Sequence, residues 1–137
     1  MKIAYITSTF PYGAGEGFLG AEIRTLSTFI DELIVVPARP RGALREEWSS
    51  LSANVKIEAT RLLSYRVWNG VARSLFKNPL GILRALIFLL RNSEFNAKLL
   101  KNLLVLPKAI WLSKYMARNE ISHLHVHWGG TTSTIAL

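Results

Sequence analysis

Apolar and polar residues follow two periods along this chain, and the places where one gives way to the other mark its elements. Lys2 to Thr7 is a nearly unbroken apolar run with β-branched Ile3, Ile6 and Thr7, which predicts a parallel strand buried on both faces. A loop from Ser8 to Gly17 follows, and apolar residues at 19, 23, 26 and 29 or 30 then keep the period of a helix. Leu33 to Val36, closed by Pro37, predicts a second buried strand. Arg39 to Ser52 reads as a loop with a turn of helix near Leu44 to Trp48. Val55, Ile57 and Ala59 alternate with Lys56 and Glu58, as on a strand near a sheet edge with one solvated face.

From Leu62 to Arg118 the pattern is helical, divided at Asn78-Pro79 and Asn92-Ser93. Val67, Trp68, Val71 and Leu75 share one side, and Pro107 is expected to kink or restart the last helix. The Leu-rich faces are expected to pack on the sheet. After them Ile121, Leu124 and Val126 interleave with His123, His125 and His127, which predicts a strand whose three imidazoles share a face, neighbours ~7 Å apart. Thr131, Thr132 and Ser133 are helix-capping types ahead of Ile135. The expected fold class is α/β, a Rossmann-like parallel sheet with helices on both faces, in one domain spanning 1–137.

His123 and His125 read most simply as core histidines hydrogen-bonded to the backbone. His127 ends its strand ahead of a Gly pair, where open parallel sheets bind ligands. A metal is not expected: His123 and His127 are too far apart to share one ion unaided, and no Asp or Cys lies nearby in the chain. The absence of cysteine removes disulfides and thiolate sites altogether.

Charge changes the picture in one region. The formal net charge is +8, yet between Thr60 and Arg118 eleven Lys and Arg stand against the single acid Glu94. Arg66, Arg73, Lys77, Arg84, Arg91, Lys98, Lys101 and Lys108 are therefore expected to face an anionic membrane surface, with about 60–118 as a basic membrane-facing segment. Nucleic acid would satisfy the charge, but long Leu/Ile/Phe faces favour acyl chains and no nucleic-acid motif is present, so no nucleic-acid partner is expected. No apolar run approaches the about 20 residues of a membrane span, and Thr7 and Ser8 interrupt the amino-terminal run short of a secretory core.

Gly15-Glu16-Gly17-Phe18-Leu19-Gly20 fits the G-x-G-x-x-G dinucleotide pattern, and the start of the next helix would offer N–H groups to an anion. The register is wrong, because Ser8 to Ala14 separate the first Gly from the strand end. Arg39 would have to serve a 2′-phosphate. The alternative reading is a non-catalytic peripheral module that binds anionic lipid, with an NADP-dependent oxidoreductase domain ranked below it.

Two stretches carry a resemblance. Phe10-Pro11, the loop Gly15-Glu16-Gly17-Phe18-Leu19 with Glu22-Ile23, and His123-Leu124-His125-Val126-His127-Trp128 stand in the order found in bacterial family 4 glycosyltransferases of the two-Rossmann-domain GT-B type, similar to those of exopolysaccharide and lipopolysaccharide biosynthesis. The resemblance implies the N-terminal, acceptor-side half of such an enzyme, truncated before its C-terminal donor domain and inactive alone. It implies a cytoplasmic retaining hexosyltransferase, peripheral on the inner face of the membrane, that moves sugar from a nucleotide-sugar co-substrate to a polysaccharide or lipid-linked saccharide acceptor. No other cofactor is implied. His127 and Glu16 would be catalytic, His127 at the donor sugar and Glu16 on an acceptor hydroxyl. Gly15, Gly17, Trp128 and Gly129 would bind substrate.

Overall fold

The computed structural model describes residues 1–48, 52–92, 97–128 and 131–136, the side chains of Lys98 and Thr131 excepted. At its centre lies β1 (Lys2–Thr7), paired in parallel with β2 (Glu32–Pro37) on one side and β4 (His123–Val126) on the other. Beyond β2 runs the short β3 (Val55–Ile57), so the order is β3-β2-β1-β4 and every pairing is parallel. This is the α/β architecture expected, with β3 at an edge.

The alternation of side chains across the strands builds two cores. Ile3, Tyr5, Leu33 and Val35 face α1 (Leu19–Ser27), and Phe10 and Trp48 complete that layer. Gly20 makes the packing possible: a Cβ there would lie 1.6 Å from a ring carbon of Trp48. The third glycine of the G-x-G-x-x-G pattern thus serves a helix-to-indole contact. Ala4, Ile6, Ile34 and Val36 point the other way, into a cluster with Val67, Val105, Trp111, Leu112 and Ile135. These come from α2 (Tyr65–Lys77), α4 (Ala97–Arg118) and α5 (Thr131–Ile135). Each fully buried aliphatic side chain contributes about 1.5–3 kcal/mol against its exposed state.

The Asn-Pro break works in both directions. Asn78 N–H closes α2 on Ser74 O, and Asn78 Oδ1 accepts from Gly81 N at 3.0 Å to cap α3 (Pro79–Asn92), which begins with the proline. Three expectations need correction. Pro107 does not restart the last helix, since α4 runs unbroken with Val105, Lys108 and Ala109 buried on either side of it. The Leu-rich faces do not all reach the sheet: of α3 only Leu89 is buried, while Leu80, Leu83, Ile87, Phe88 and Leu90 are exposed. On α2 Val67 is buried, whereas Trp68 and Leu75 are exposed and Phe76 is 89% exposed.

The third correction is Lys108, expected at a membrane surface and found 0% exposed. Its Nζ donates to Pro37 O at 2.5 Å, Ala38 O at 3.2 Å and Thr60 O at 2.8 Å. Three donors meet three carbonyls, and the segments after β2 and β3 are tied to α4. Burial pushes the ammonium pKa down to about 8, opposed by the charge of Glu58.

Lys108→Met is expected to cost about 1–3 kcal/mol, because three orphaned carbonyls outweigh the relief of a buried charge. Urea unfolding at unchanged m reads this. A base whose folded pKa lies below its unfolded value opposes folding fully at low pH, so wild-type stability gains from Lys108 as pH rises from about 8 towards the ordinary lysine range near 10.5. That component should vanish in the Met variant.

Candidate functional site

In a parallel sheet of this order the connections leave in opposite directions on either side of the β1–β4 pair, and the crevice beyond their carboxyl ends receives ligands. A cleft of about 400 Å3 opens there, lined by Ser8, Thr9, Gly15, Glu16, Ala38, Arg39, Trp128 and Thr132. The loops after β1, β2 and β4 all contribute, so the glycine loop and the end of the His strand do share one cleft.

Glu16 holds these loops together. It is only 6% exposed, and its carboxylate accepts from Ser8 N (3.1 Å), Thr9 N (2.6 Å), Thr9 Oγ1 (3.0 Å) and Phe10 N (2.7 Å). A fifth bond comes across the cleft, from Trp128 Nε1 at 2.6 Å. Burial alone would raise the carboxyl pKa, but the N–H groups of Thr9, Phe10 and Ser8 and the Thr9 hydroxyl outweigh it and hold the acid below its ordinary range. Three consecutive backbone N–H groups form an anion-binding nest, and the anion in it is the protein's own. Both oxygens are committed to internal donors, so Glu16 positions the cleft instead of meeting an acceptor hydroxyl as expected.

The expected anion seat at the start of α1 is likewise engaged internally. Leu19 N donates to Glu16 O and Gly20 N to Gly17 O, which leaves fewer donors for a phosphate. Gly15 lines the cleft with space beyond it, nothing lying within 4 Å of an added Cβ. A Cβ on Gly17 would instead meet the Arg45 guanidinium at 3.2 Å. Gly129 lies outside the described residues.

His127 is not among the residues that line this cleft, but it adjoins Trp128, which is. Its ring meets Trp128 edge-on at 5.0 Å and Phe18 at 5.5 Å, and its Nδ1 lies 3.2 Å from Tyr5 Oη. Tyr5 Oη donates to Glu22 Oε1 at 2.7 Å, and Glu22 Oε2 is 3.6 Å from His127 Nδ1. Desolvation, with the bond to Glu22 and its charge, raises the Tyr5 pKa far above the ordinary phenol range, so the hydroxyl stays protonated. The His125 ring lies tilted against that of Tyr5, its register partner on β1, with centroids 4.6 Å apart, while His123 is exposed. Neither is the backbone-bonded core histidine expected, because β4 has a neighbouring strand on one side only among the described residues.

Sequence reasoning missed Tyr5 and Glu22. Tyr5 sits inside an apolar run that reads as core, though a buried phenol calls for a partner. Glu22 belongs to the Glu22-Ile23 pair of the resemblance, in the first turn of α1, but that pair carries no site role there.

Glu16→Gln keeps the shape and removes the charge. It is expected to lower stability by about 1.5–3 kcal/mol, the range for hydrogen bonds to charged groups, and to shift Trp128 fluorescence to longer wavelength. A depressed carboxyl pKa gives stability that is complete above the unfolded value near 4.5 and is lost as pH falls through the lower folded value. Acid titration of wild type should show this loss, and the Gln variant should not.

No protein-family model, no curated protein and no solved structure matches this chain, so the functional reading rests on its residues and their geometry.

Proposed function

We propose that this chain is the acceptor-side domain of a GT-B type retaining glycosyltransferase, which moves sugar from a nucleotide-sugar to a polysaccharide or lipid-linked saccharide in cell-envelope biosynthesis. The observation that carries the reading is the internal filling of the loop's anion nest by Glu16. A dinucleotide pyrophosphate would need that nest empty, which argues against the NADP alternative. With the nest neutralised, the cleft suits a hydroxyl-rich, uncharged ring: Trp128 is 45% exposed, and Ser8, Thr9 and Thr132 bring hydroxyls to the wall. Arg39 remains at the rim for a nearby negative charge. In this reading the donor diphosphate takes its main contacts from a second domain, and His127, beside Trp128, reaches the sugar through a ring nitrogen.

The helical face supports the membrane part of the proposal. Leu75, Phe76, Leu80, Leu83, Ile87 and Phe88 are exposed on α2 and α3, and the cations Arg66, Arg73, Lys77, Arg84, Arg91 and Lys101 of the same helical segment are exposed as well. Such a surface matches the anionic cytoplasmic leaflet in both polarity and charge. Among the described residues no helix is long and apolar enough to cross a membrane. The Lys98 side chain lies outside the described residues.

In the protein that joins this chain to its donor domain, His127→Ala is expected to lower kcat about 100-fold or more while the fold persists. Gly15→Ala should leave stability within about 0.5 kcal/mol and raise the acceptor KM, since the added methyl enters open cleft. Release of nucleoside diphosphate measures both, and unimpaired transfer by the His127 variant would discard the assignment. Co-sedimentation with phosphatidylglycerol vesicles should weaken with salt, and Arg84→Gln and Arg91→Gln should each remove ~1 kcal/mol, about fivefold in partitioning. Equal binding to uncharged phosphatidylcholine vesicles would count against the charge argument.

A further inference from the structure

We propose that Glu22, His125 and His127 form a binding site for a divalent transition metal of the zinc class. The site goes beyond the sugar-transfer reading and does not depend on it. His125 on β4 and His127 just after its end both bring their rings near Tyr5, and α1 brings Glu22 to the same place. One ligand atom from each of the three residues lies within 4.8 Å of the other two. The acid nearest in the chain, Glu120, is not part of the cluster, and the fold delivers the carboxylate from α1.

The donor set selects the ion. Two imidazoles and a carboxylate, with no thiolate and no carbonyl cage, suit Zn2+ and its neighbours over Ca2+ or Mg2+. Metal–ligand distances near 2.1 Å put tetrahedral donors about 3.4 Å apart, so the cluster must tighten by roughly 1.4 Å at its widest. The Glu22 side chain is 44% exposed and that of His127 25%, so small side-chain rotations suffice and solvent can complete the coordination sphere. Glu22 is already oriented for the task. Its Oε1 accepts from the buried Tyr5 hydroxyl while Oε2 faces His127, an arrangement in which one oxygen is held by a neighbouring donor and the other is offered to the ion. His123, exposed and farther back along the strand, takes no part.

Calorimetric titration of the chain with Zn2+ in weakly alkaline buffer tests this. One equivalent should bind, binding should fade as the imidazoles protonate, and Mg2+ should not compete. His125→Ala and Glu22→Gln should each weaken Zn2+ binding about tenfold or more, with His123→Ala unchanged. Co2+ added to wild type should give the visible absorption of a low-coordinate nitrogen and oxygen site, a readout that needs no variant to fold. Absence of saturable Zn2+ heat, a Co2+ spectrum no different from the aqueous ion, or full affinity in His125→Ala would overturn the site. Sugar transfer by the His127→Ala variant is measured independently of all three, so loss of the metal site and loss of the transfer reading are distinguishable.

Discussion

The cleft depends on one buried carboxylate. Glu16 gathers the N–H groups of Ser8, Thr9 and Phe10 on one side and the Trp128 indole N–H on the other, so a single side chain sets the shape of the loop after β1 and its distance from the end of β4. Without that charge, three converging backbone donors would be left beside a half-buried indole with no common acceptor. The same arrangement gives the cleft its chemical character. An anion nest that is filled from within no longer recruits phosphate, and what remains is an aromatic face, hydroxyls and one cation at the rim.

A second buried charge performs the matching task on the opposite face of the sheet. Lys108 joins carbonyls at the ends of β2 and β3 to α4, and Ala38, one of its acceptors, also lines the cleft. Two charges of opposite sign are thus buried at the carboxyl edge, each satisfied by backbone groups and neither paired with the other. Each converts irregular chain, where backbone hydrogen bonds would otherwise fall to water, into fixed walls. Strand pairing positions β1, β2 and β4; these side chains position what leaves them.

How much of this is legible in the sequence follows from which periods carry information. The runs Lys2 to Thr7 and Leu33 to Val36 are unbroken because both faces of those strands are covered, and Asn78-Pro79 marks a boundary because proline cannot continue α2. Placing His127 and the glycine loop at one edge needs only the rule for parallel sheets. The role of Glu16 is hidden because its partners are mostly main-chain groups, which leave no side-chain pattern. Lys108 carries a faint signal: it lies three residues after Val105 and four before Leu112, in phase with a buried stripe, yet its charge reads as surface. On α3 apolar residues occur on all sides, so periodicity is silent about which face is covered.

The hydrogen atoms around His127 follow from counting donors. Tyr5 has one hydroxyl hydrogen, and Glu22, an ionised carboxylate, can only accept, so that hydrogen lies on the Tyr5–Glu22 bond. The contact from His127 Nδ1 to Tyr5 Oη therefore requires the hydrogen on Nδ1. In the neutral ring Nε2 then carries the lone pair, an acceptor whose use would leave the buried network unchanged. Protonation of the ring would strengthen its attraction to Glu22 but remove the acceptor at Nε2. The Tyr5–Glu22 pair thus fixes the tautomer of an imidazole it supports from behind, while the Trp128 ring beside it faces the cleft. A zinc ion at the cluster needs an unprotonated ring nitrogen, so it competes with this arrangement for the same imidazole.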